Sequence, residues 1–196
     1  MTISEEKQEL RLRVREAERA LSPRYKEESD AAIAALVRAL PDYREARTVF
    51  SFFGTKREIN TRPILEDALR SGKRLCLPLC TKEPGIMELR AVESLDDLVP
   101  GVFGILEPSK DCPILTPDEV DFAVLPCLSC TRAGRRLGQG GGYYDRFLTR
   151  YRGSAVVLCR EELLHEDIPL EPHDLPVPWV VTEKGLYEDG VPARIE

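Results

Sequence analysis

The chain has 196 residues, of which 42% are hydrophobic and 32% charged, and it carries a net charge of −6 with a pI near 5.2. The acidic balance argues against general nucleic-acid binding, which needs a basic surface. The sequence shows no apolar run of membrane-spanning length and no signal-peptide core near its start, so we expect a cytoplasmic protein without a membrane partner. The length fits one domain, predicted over 1–196.

Two helices are predicted at the N-terminus, over 4–40. Ser4 can cap the first, which runs to about Leu21 with only a sparse apolar stripe. Ser22 followed by Pro23 is typical of a helix start. The apolar face of the second helix comprises Ile33, Leu36, Val37 and Leu40.

Strands and helices alternate through a sheet-containing core, predicted over 47–196. The predicted strands are 48–53, 74–79, 86–92, 121–126, 154–159 and 179–183, the last being the final strand of the chain. The predicted helices are 61–71, 94–99 and 142–151. This alternation indicates an α/β fold in three layers, α/β/α, with a mostly parallel central sheet. Ligands bind at the carboxyl ends of parallel strands, which favours the loops after 48–53 and 121–126 as a site.

Six cysteines are spread along the chain. The pairs Cys76–Cys80 and Cys127–Cys130 lie far apart and lack zinc-ribbon spacing. We therefore expect buried, reduced thiols that behave as small hydrophobic residues, in preference to a zinc or redox site.

A glycine-rich segment, RRLGQGGGYYDRFL, spans 135–148 and leads into a helix. Bare backbone N–H groups beside a helix N-terminus form a potential anion site, and Arg135 and Arg136 can add fixed charge. Asp145 can favour the helix dipole or hold Mg²⁺. The segment matches neither the Rossmann nor the Walker pattern, so its residues alone leave a phosphate site and a plain turn equally open. The surrounding arginines form a predicted positive island: Arg132, Arg135, Arg136, Arg146, Arg150 and Arg152.

Five segments in order resemble the 5-formyltetrahydrofolate cyclo-ligase family, also called the 5,10-methenyltetrahydrofolate synthetases. The most specific is GRRLGQGGGYYDRFL after DFAVLP. The others are KQELR (7–11), FFGTKREINT (52–61), ILEP (105–108), and PHD (172–174) followed by VVTE (180–183). The resemblance covers nearly the whole chain and implies a Rossmann-like fold of the sugar-isomerase/CoA-transferase-like type.

The resemblance also implies a reaction. In this family, ATP and Mg²⁺ drive conversion of 5-formyltetrahydrofolate to 5,10-methenyltetrahydrofolate. The formyl oxygen attacks the γ-phosphate, N10 closes the ring on the activated carbon, and ADP and phosphate are released. Such chemistry depends on positioning and charge neutralisation. The expected partners are these small molecules, with the protein as a monomer or weak homodimer.

By the same resemblance, Lys7 and Arg136 are predicted to act on the transferring phosphate, and Asp145 and Asp174 are predicted to hold Mg²⁺. The predicted ATP contacts are Lys7, Arg11, Arg136, Leu137, Gly138, Gln139, Gly140, Gly141, Gly142, Tyr143 and Tyr144. The predicted folate contacts are Phe53, Glu58, Gln139, Gly140, Gly141, Gly142 and Tyr143.

The chain departs from the family pattern at two pairs of positions. Cys130 and Thr131 stand where a Phe-Asp pair is usual, and Val177 and Pro178 stand where a Leu-Asp pair is frequent. These departures favour one alternative, a relative that binds folate or nucleotide without catalysis. A different enzyme on a similar scaffold, such as a sugar-phosphate isomerase or CoA transferase, is a further alternative, because fold does not imply function.

Overall fold

The computed structural model describes residues 2–101 and 104–195, so the domain predicted over 1–196 includes four positions outside the described residues. The α-helices in these ranges are α1 (Ile3–Ala20), α2 (Pro23–Ala39), α3 (Pro41–Glu45), α4 (Arg62–Arg70) and α5 (Tyr143–Arg150). Within the described ranges, none of these helices combines the length and apolar character needed to cross a membrane.

The β-strands are short and spread over the whole core. They are β1 (Thr48–Phe50), β2 (Arg74–Cys80), β3 (Met87–Val92), β4 (Leu98–Pro100), β5 (Leu106–Pro108), β6 (Ile114–Leu115), β7 (Phe122–Leu125), β8 (Ser129–Cys130), β9 (Arg136–Leu137), β10 (Ser154–Leu158), β11 (Trp179–Thr182), β12 (Gly185–Glu188) and β13 (Val191–Ala193).

Five parallel strands form the centre of a nine-stranded sheet ordered β13-β12-β11-β10-β7-β1-β2-β3-β6. The predicted α/β class with a parallel centre is therefore confirmed. Antiparallel strands extend the sheet on both margins. Across the sheet the parallel strands are ordered β2-β1-β7-β10-β11. The chain runs from β1 outward to β2 and then returns to β7 on the other side of β1, so the direction of winding reverses between β1 and β7. Such a switch point opens a crevice at the carboxyl ends of the two strands.

Two predicted elements and one predicted cap are wrong in detail. The chain does not end its sheet at 179–183, because tight turns return it as β12 and β13. The helix predicted over 94–99 is a single 3₁₀ turn, Leu95–Asp97, that runs straight into β4. Thr2 caps α1 in place of Ser4, since Glu5 lies three residues after Thr2 and completes a capping box.

The two faces of the sheet bury different helices, because successive strand residues point to opposite sides. Val49 packs in the cluster that holds α2 and α4, whereas its neighbour Phe50 packs in the cluster that holds α5. This alternation gives the predicted three layers. Helix α1 lies apart from both faces and packs Leu10 and Val14 against Leu137 of β9. That contact holds the N-terminal helix beside the glycine-rich segment.

Candidate functional site

A cavity of about 340 Å³ opens at the switch point of the sheet. Phe52 and Phe53, which follow β1, form one part of its wall, and residues 126–128, which follow β7, form another. The glycine-rich segment and α1 close further sides. The site therefore lies where the predicted topology places it, at the carboxyl ends of the central strands.

The loop after β1 folds back on itself and presents Glu58 to the cavity. The Thr61 hydroxyl donates to the Phe52 carbonyl at 2.6 Å and accepts from the Gly54 N–H at 3.1 Å. One carboxylate oxygen of Glu58 accepts from the Thr55 N–H at 3.0 Å. These bonds fix the loop backbone, so Phe53 and Glu58 reach the cavity from a constrained frame.

The glycine-rich segment turns sharply into α5. Gly140 (φ +102°) and Gly142 (φ +70°) both adopt left-handed backbone conformations that glycine tolerates best. Gly142 is the N-cap of α5 and has no side chain to satisfy the first N–H groups of the helix. Those N–H groups and the helix dipole favour an anion at this end of α5.

Arg136 is a buried cation in the wall of the cavity, 7% exposed. One guanidinium nitrogen donates to Asp145 at 2.7 Å, and the guanidinium carbon lies 5.7 Å from the centre of the Tyr144 ring. Its Nε is buried and, among the described residues, has no hydrogen-bond partner. An unsatisfied buried donor costs about 1–3 kcal/mol. An anionic ligand in the cavity could supply the missing acceptor.

Lys7 is a second buried cation, 5% exposed, on the first helix. Its Nζ donates to Glu171 at 2.9 Å and also to Asp174. Burial by itself raises the pKa of Asp174, but the Lys7 ammonium and the Glu171 N–H outweigh it and hold that pKa below its ordinary value. One ammonium pairs with two carboxylates, so this cluster of three residues keeps a net negative charge beside the cavity.

Arg11 and Gln139 join α1 to the glycine-rich segment. The Arg11 Nε donates to the Gly138 carbonyl at 2.9 Å, and Arg15 donates to the Gln139 side chain at 2.8 Å. Lys7, Arg11 and Arg15 are spaced four residues apart, so they share one face of α1. Only the first two were predicted as site residues from the sequence, although the spacing marks Arg15 equally well.

The structure brings every predicted site residue to this single cavity. The residues that line it from the predicted set are Lys7, Arg11, Phe53, Glu58, Arg136, Leu137, Gly138, Gln139, Gly140, Gly141, Gly142, Tyr143, Tyr144, Asp145 and Asp174. Their roles stay predictions.

The predicted positive island is smaller than expected. Arg132 pairs with Glu161 and Arg135 with Asp167, and both arginine side chains are about half exposed. Arg136 alone of the six predicted arginines lines the cavity in the described part of the chain. Arg135 and Arg136 are consecutive residues of an extended segment, so their side chains point to opposite sides. Arg146 and Arg150 lie on α5 and line a separate cavity.

The two predicted metal ligands have separate partners. Asp145 is held by Arg136, whereas Asp174 lies with Glu171 and His173, all three offering ligand atoms within 4.8 Å of one another. Among the described residues, Asp145 is outside that group. Glu171 is therefore a site residue that the PHD motif alone does not mark, since it lies one position before the motif.

Glu107 is a further carboxylate in the cavity wall, 8% exposed. It lies in β5, within the ILEP segment, and its charge adds to the effect of burial in raising the pKa of the Cys80 thiol. A lone glutamate between apolar residues is the sequence signal for such a buried carboxylate, because unpaired glutamates are seldom buried without a role.

Comparisons with known proteins identify the family of this chain. A model of the 5-formyltetrahydrofolate cyclo-ligase family matches residues 3–183. The 5-formyltetrahydrofolate cyclo-ligase of Escherichia coli (strain K12) is 31% identical over 89% of this chain and 99% of that protein. The mitochondrial enzyme of that name from Arabidopsis thaliana is 29% identical over 94% of this chain and 76% of its own length.

A solved structure shows the same fold. The 5,10-methenyltetrahydrofolate synthetase of Aquifex aeolicus superimposes with a TM-score of 0.82 at 30% identity, over 97% of this chain and 96% of that one. The family match spans nearly the whole chain, including all the residues that line the cavity. The chain therefore belongs to the 5-formyltetrahydrofolate cyclo-ligase family.

Proposed function

We propose that this protein converts 5-formyltetrahydrofolate to 5,10-methenyltetrahydrofolate, with ATP as co-substrate and release of ADP and phosphate. Family membership supports the reaction class. The observation that carries the proposal is the convergence of buried Arg136, buried Lys7 and the uncapped N-terminus of α5 on one cavity. Fixed positive groups of this kind are what stabilisation of a transferring phosphate requires.

The phosphate end of the reaction would use Arg136, Lys7, Arg11 and the glycine-rich segment. When the formyl oxygen attacks the γ-phosphorus, negative charge spreads over the transferring oxygens. The Arg136 guanidinium lines the cavity and is held by Asp145, so its positive charge would stabilise the negative charge that develops there. Donors that need no reorganisation stabilise such a transition state most effectively.

The folate end would use Phe53, Glu58 and the side of the glycine-rich segment from Gln139 to Tyr143. A carboxylate accepts hydrogen bonds from the donor edge of a pterin ring, and Glu58 has a fixed place in the wall. Glu107 offers a second carboxylate nearby in the same wall. With both ends of the substrate held, N10 can attack the activated formyl carbon and displace phosphate.

The carboxylates fit a magnesium ion bound between protein and nucleotide. Mg²⁺ prefers oxygen ligands and is commonly held by one or two carboxylates together with substrate phosphates. Asp174 and Glu171 supply such oxygens as a close pair, and Asp145 lines the same cavity. The metal, when bound there, would neutralise phosphate charge. We keep Asp145 and Asp174 as proposed ligands and add Glu171.

The alternative of a relative that only binds loses its main support. The positions that depart from the family pattern, Cys130, Thr131, Val177 and Pro178, are not among the described residues that line the cavity. Three of them are buried in the protein interior. The catalytic proposal is therefore favoured, because the altered positions leave the phosphate end intact.

An absorbance assay tests the proposal. Purified protein with 5-formyltetrahydrofolate, ATP and Mg²⁺ should form the methenyl chromophore, and omission of ATP or Mg²⁺ should abolish it. If ATP and folate raise the unfolding temperature of the protein but no methenyl product forms, catalysis is contradicted and the binding alternative is supported.

Gly140→Ala is expected to raise the KM for ATP roughly tenfold, since a left-handed alanine carries strain of about 1–3 kcal/mol and the segment must move to relieve it. The added Cβ would also lie 3.4 Å from the Arg11 guanidinium. Gly72→Ala is the matched control, because Gly72 has a similar φ of +73° with open space around it. Equal KM values for the two variants would refute a nucleotide role for the segment.

Glu58→Gln is expected to raise the KM for folate by about 10- to 100-fold and to leave the KM for ATP unchanged, because hydrogen bonds to a charged group contribute about 1.5–3 kcal/mol. Glutamine still accepts from the Thr55 N–H, so the loop should keep its conformation. Glu66→Gln, on the exposed surface of α4, serves as control. A rise confined to the KM for ATP would place the pterin elsewhere.

A further inference from the structure

Three thiols from two parts of the chain converge beside the cavity. Cys127 follows β7, Cys130 lies in β8 and Cys159 follows β10. Their Sγ atoms all lie within 4.8 Å of one another. The parallel register pairs Leu125 with Val157, so Cys127 and Cys159, each two residues further on, end at the same level of the sheet. Cys130 then reaches them from the hairpin.

The cluster is enclosed on one side and open on the other. Cys130 and Cys159 are buried in an apolar shell that includes Val157, Leu163 and Val180. Cys127 is only half-buried and lines both the main cavity and a second cavity of about 400 Å³ next to it. Cys159 also lines the second cavity, so a ligand could enter past Cys127 or Cys159, with Cys130 on the enclosed side.

We propose that Cys127, Cys130 and Cys159 bind one thiophilic divalent cation of the zinc type through three thiolates. Binding converts three thiols and M²⁺ into three metal–sulfur bonds and releases three protons. A Zn–S distance of about 2.3 Å in a tetrahedron sets sulfurs about 3.8 Å apart, a spacing that small side-chain rotations within the present cluster can reach. No described His, Asp or Glu completes the set, so the fourth ligand comes from the cavity.

Two features favour a metal over simple packing or a disulfide. A disulfide needs two sulfurs, whereas three converge here, two from residues 127–130 and one from the end of β10, and soft cations select such a set of thiolates. A trithiolate site with a divalent cation also keeps one negative charge. The Arg136 guanidinium donates to the carbonyl of Pro126, directly before Cys127, at 3.4 Å and places a cation beside that charge.

Cadmium and cobalt titrations of the reduced, metal-free protein test this site without reference to activity. We expect a saturable thiolate-to-metal charge-transfer band at one equivalent, release of three protons, and three thiols protected from a thiol reagent. Cys127→Ser should weaken binding by at least about 100-fold, since even outer-shell changes cost 10- to 100-fold. Because Cys127 is half-buried, we expect Cys127→Ser to fold, and it tests the site even if the variant of the buried Cys130, Cys130→Ser, does not fold. Cys112→Ser, outside the cluster, should bind as the parent does.

Two results would overturn the proposal. One is a titration without a saturable band, or a band that survives in Cys127→Ser. The other is a reduced protein that binds no metal but forms a Cys127–Cys130 disulfide with hydrogen peroxide, which is itself reduced to water. Mass spectrometry would show that loss of two hydrogens and would mark the pair as a redox dithiol.

Discussion

Arg136→Ala is expected to lower kcat for methenyl formation by about 100- to 1,000-fold, the cost typical of one preorganised donor at a developing charge. The variant removes a buried guanidinium whose Nε has no partner among the described groups, and it leaves Asp145 without its ion pair. Folate binding should change little, because Arg136 is assigned to the phosphate end. Steady-state kinetics with each substrate varied in turn would measure both effects.

Arg135→Ala is the matched control for that variant. Arg135 is the preceding residue, but its side chain is half exposed and pairs with Asp167 away from the cavity. We expect its kcat to stay within about twofold of the parent, because surface ion pairs contribute little. Arg136→Lys should restore only part of the rate, since an ammonium cannot reproduce the planar fork. A kcat of Arg136→Ala equal to that of the parent would show that Arg136 has no role in phosphate transfer.

Lys7→Met is expected to lower the free energy of unfolding by about 3 kcal/mol, because breaking a buried ion pair leaves its partner charge uncompensated. Here two carboxylates, Glu171 and Asp174, lose one shared ammonium. If Lys7 contacts the phosphates, the variant should bind ATP weakly. ATP should then raise the unfolding temperature of the parent but not of the variant, since a ligand stabilises only the state that binds it. Thermal unfolding with and without ATP measures both quantities.

A second substitution separates the structural effect of Lys7 from its role with phosphate. Asp174→Asn added to Lys7→Met removes one uncompensated charge, so part of the stability should return. Because Asp174 is itself a proposed Mg²⁺ ligand, the response to ATP is measured in Lys7→Met alone. Arg13→Met, on the exposed side of α1, should leave both unchanged. An undiminished ATP response in Lys7→Met would show that Lys7 is only a structural cation.

The sequence predicted the residues of the candidate site better than it predicted the outer strands of the sheet. The glycines and the following helix pattern of residues 135–148 predict a tight turn into a helix, and the structure places Gly140 and Gly142 of that turn at positive φ. Phe53 and Glu58 were predicted from the family resemblance of the segment 52–61, whereas the strand pattern alone favoured only the loop that contains them. These are local signals, and they stay valid whichever strands are neighbours in the sheet.

Contacts between distant segments could not be predicted from single motifs. Glu171 joins Lys7 only because α1 lies across the carboxyl edge of the sheet, and Cys159 meets Cys127 only through the register of β10 on β7. The strands β12 and β13 are short, and their Gly-rich turns follow β11 without an apolar run of their own. In each case tertiary packing, rather than local pattern, decides the outcome.

In the proposed reaction, the γ-phosphoryl group of ATP is transferred to the formyl oxygen before the ring closes. A single-turnover reaction with folate labelled by ¹⁸O at the formyl oxygen tests this directly, with mass spectrometry of the released phosphate. We expect one ¹⁸O atom in the released phosphate, because N10 displaces the formyl oxygen together with the phosphorus. Unlabelled phosphate, with the ¹⁸O recovered in water, would contradict phosphorylation of the formyl oxygen.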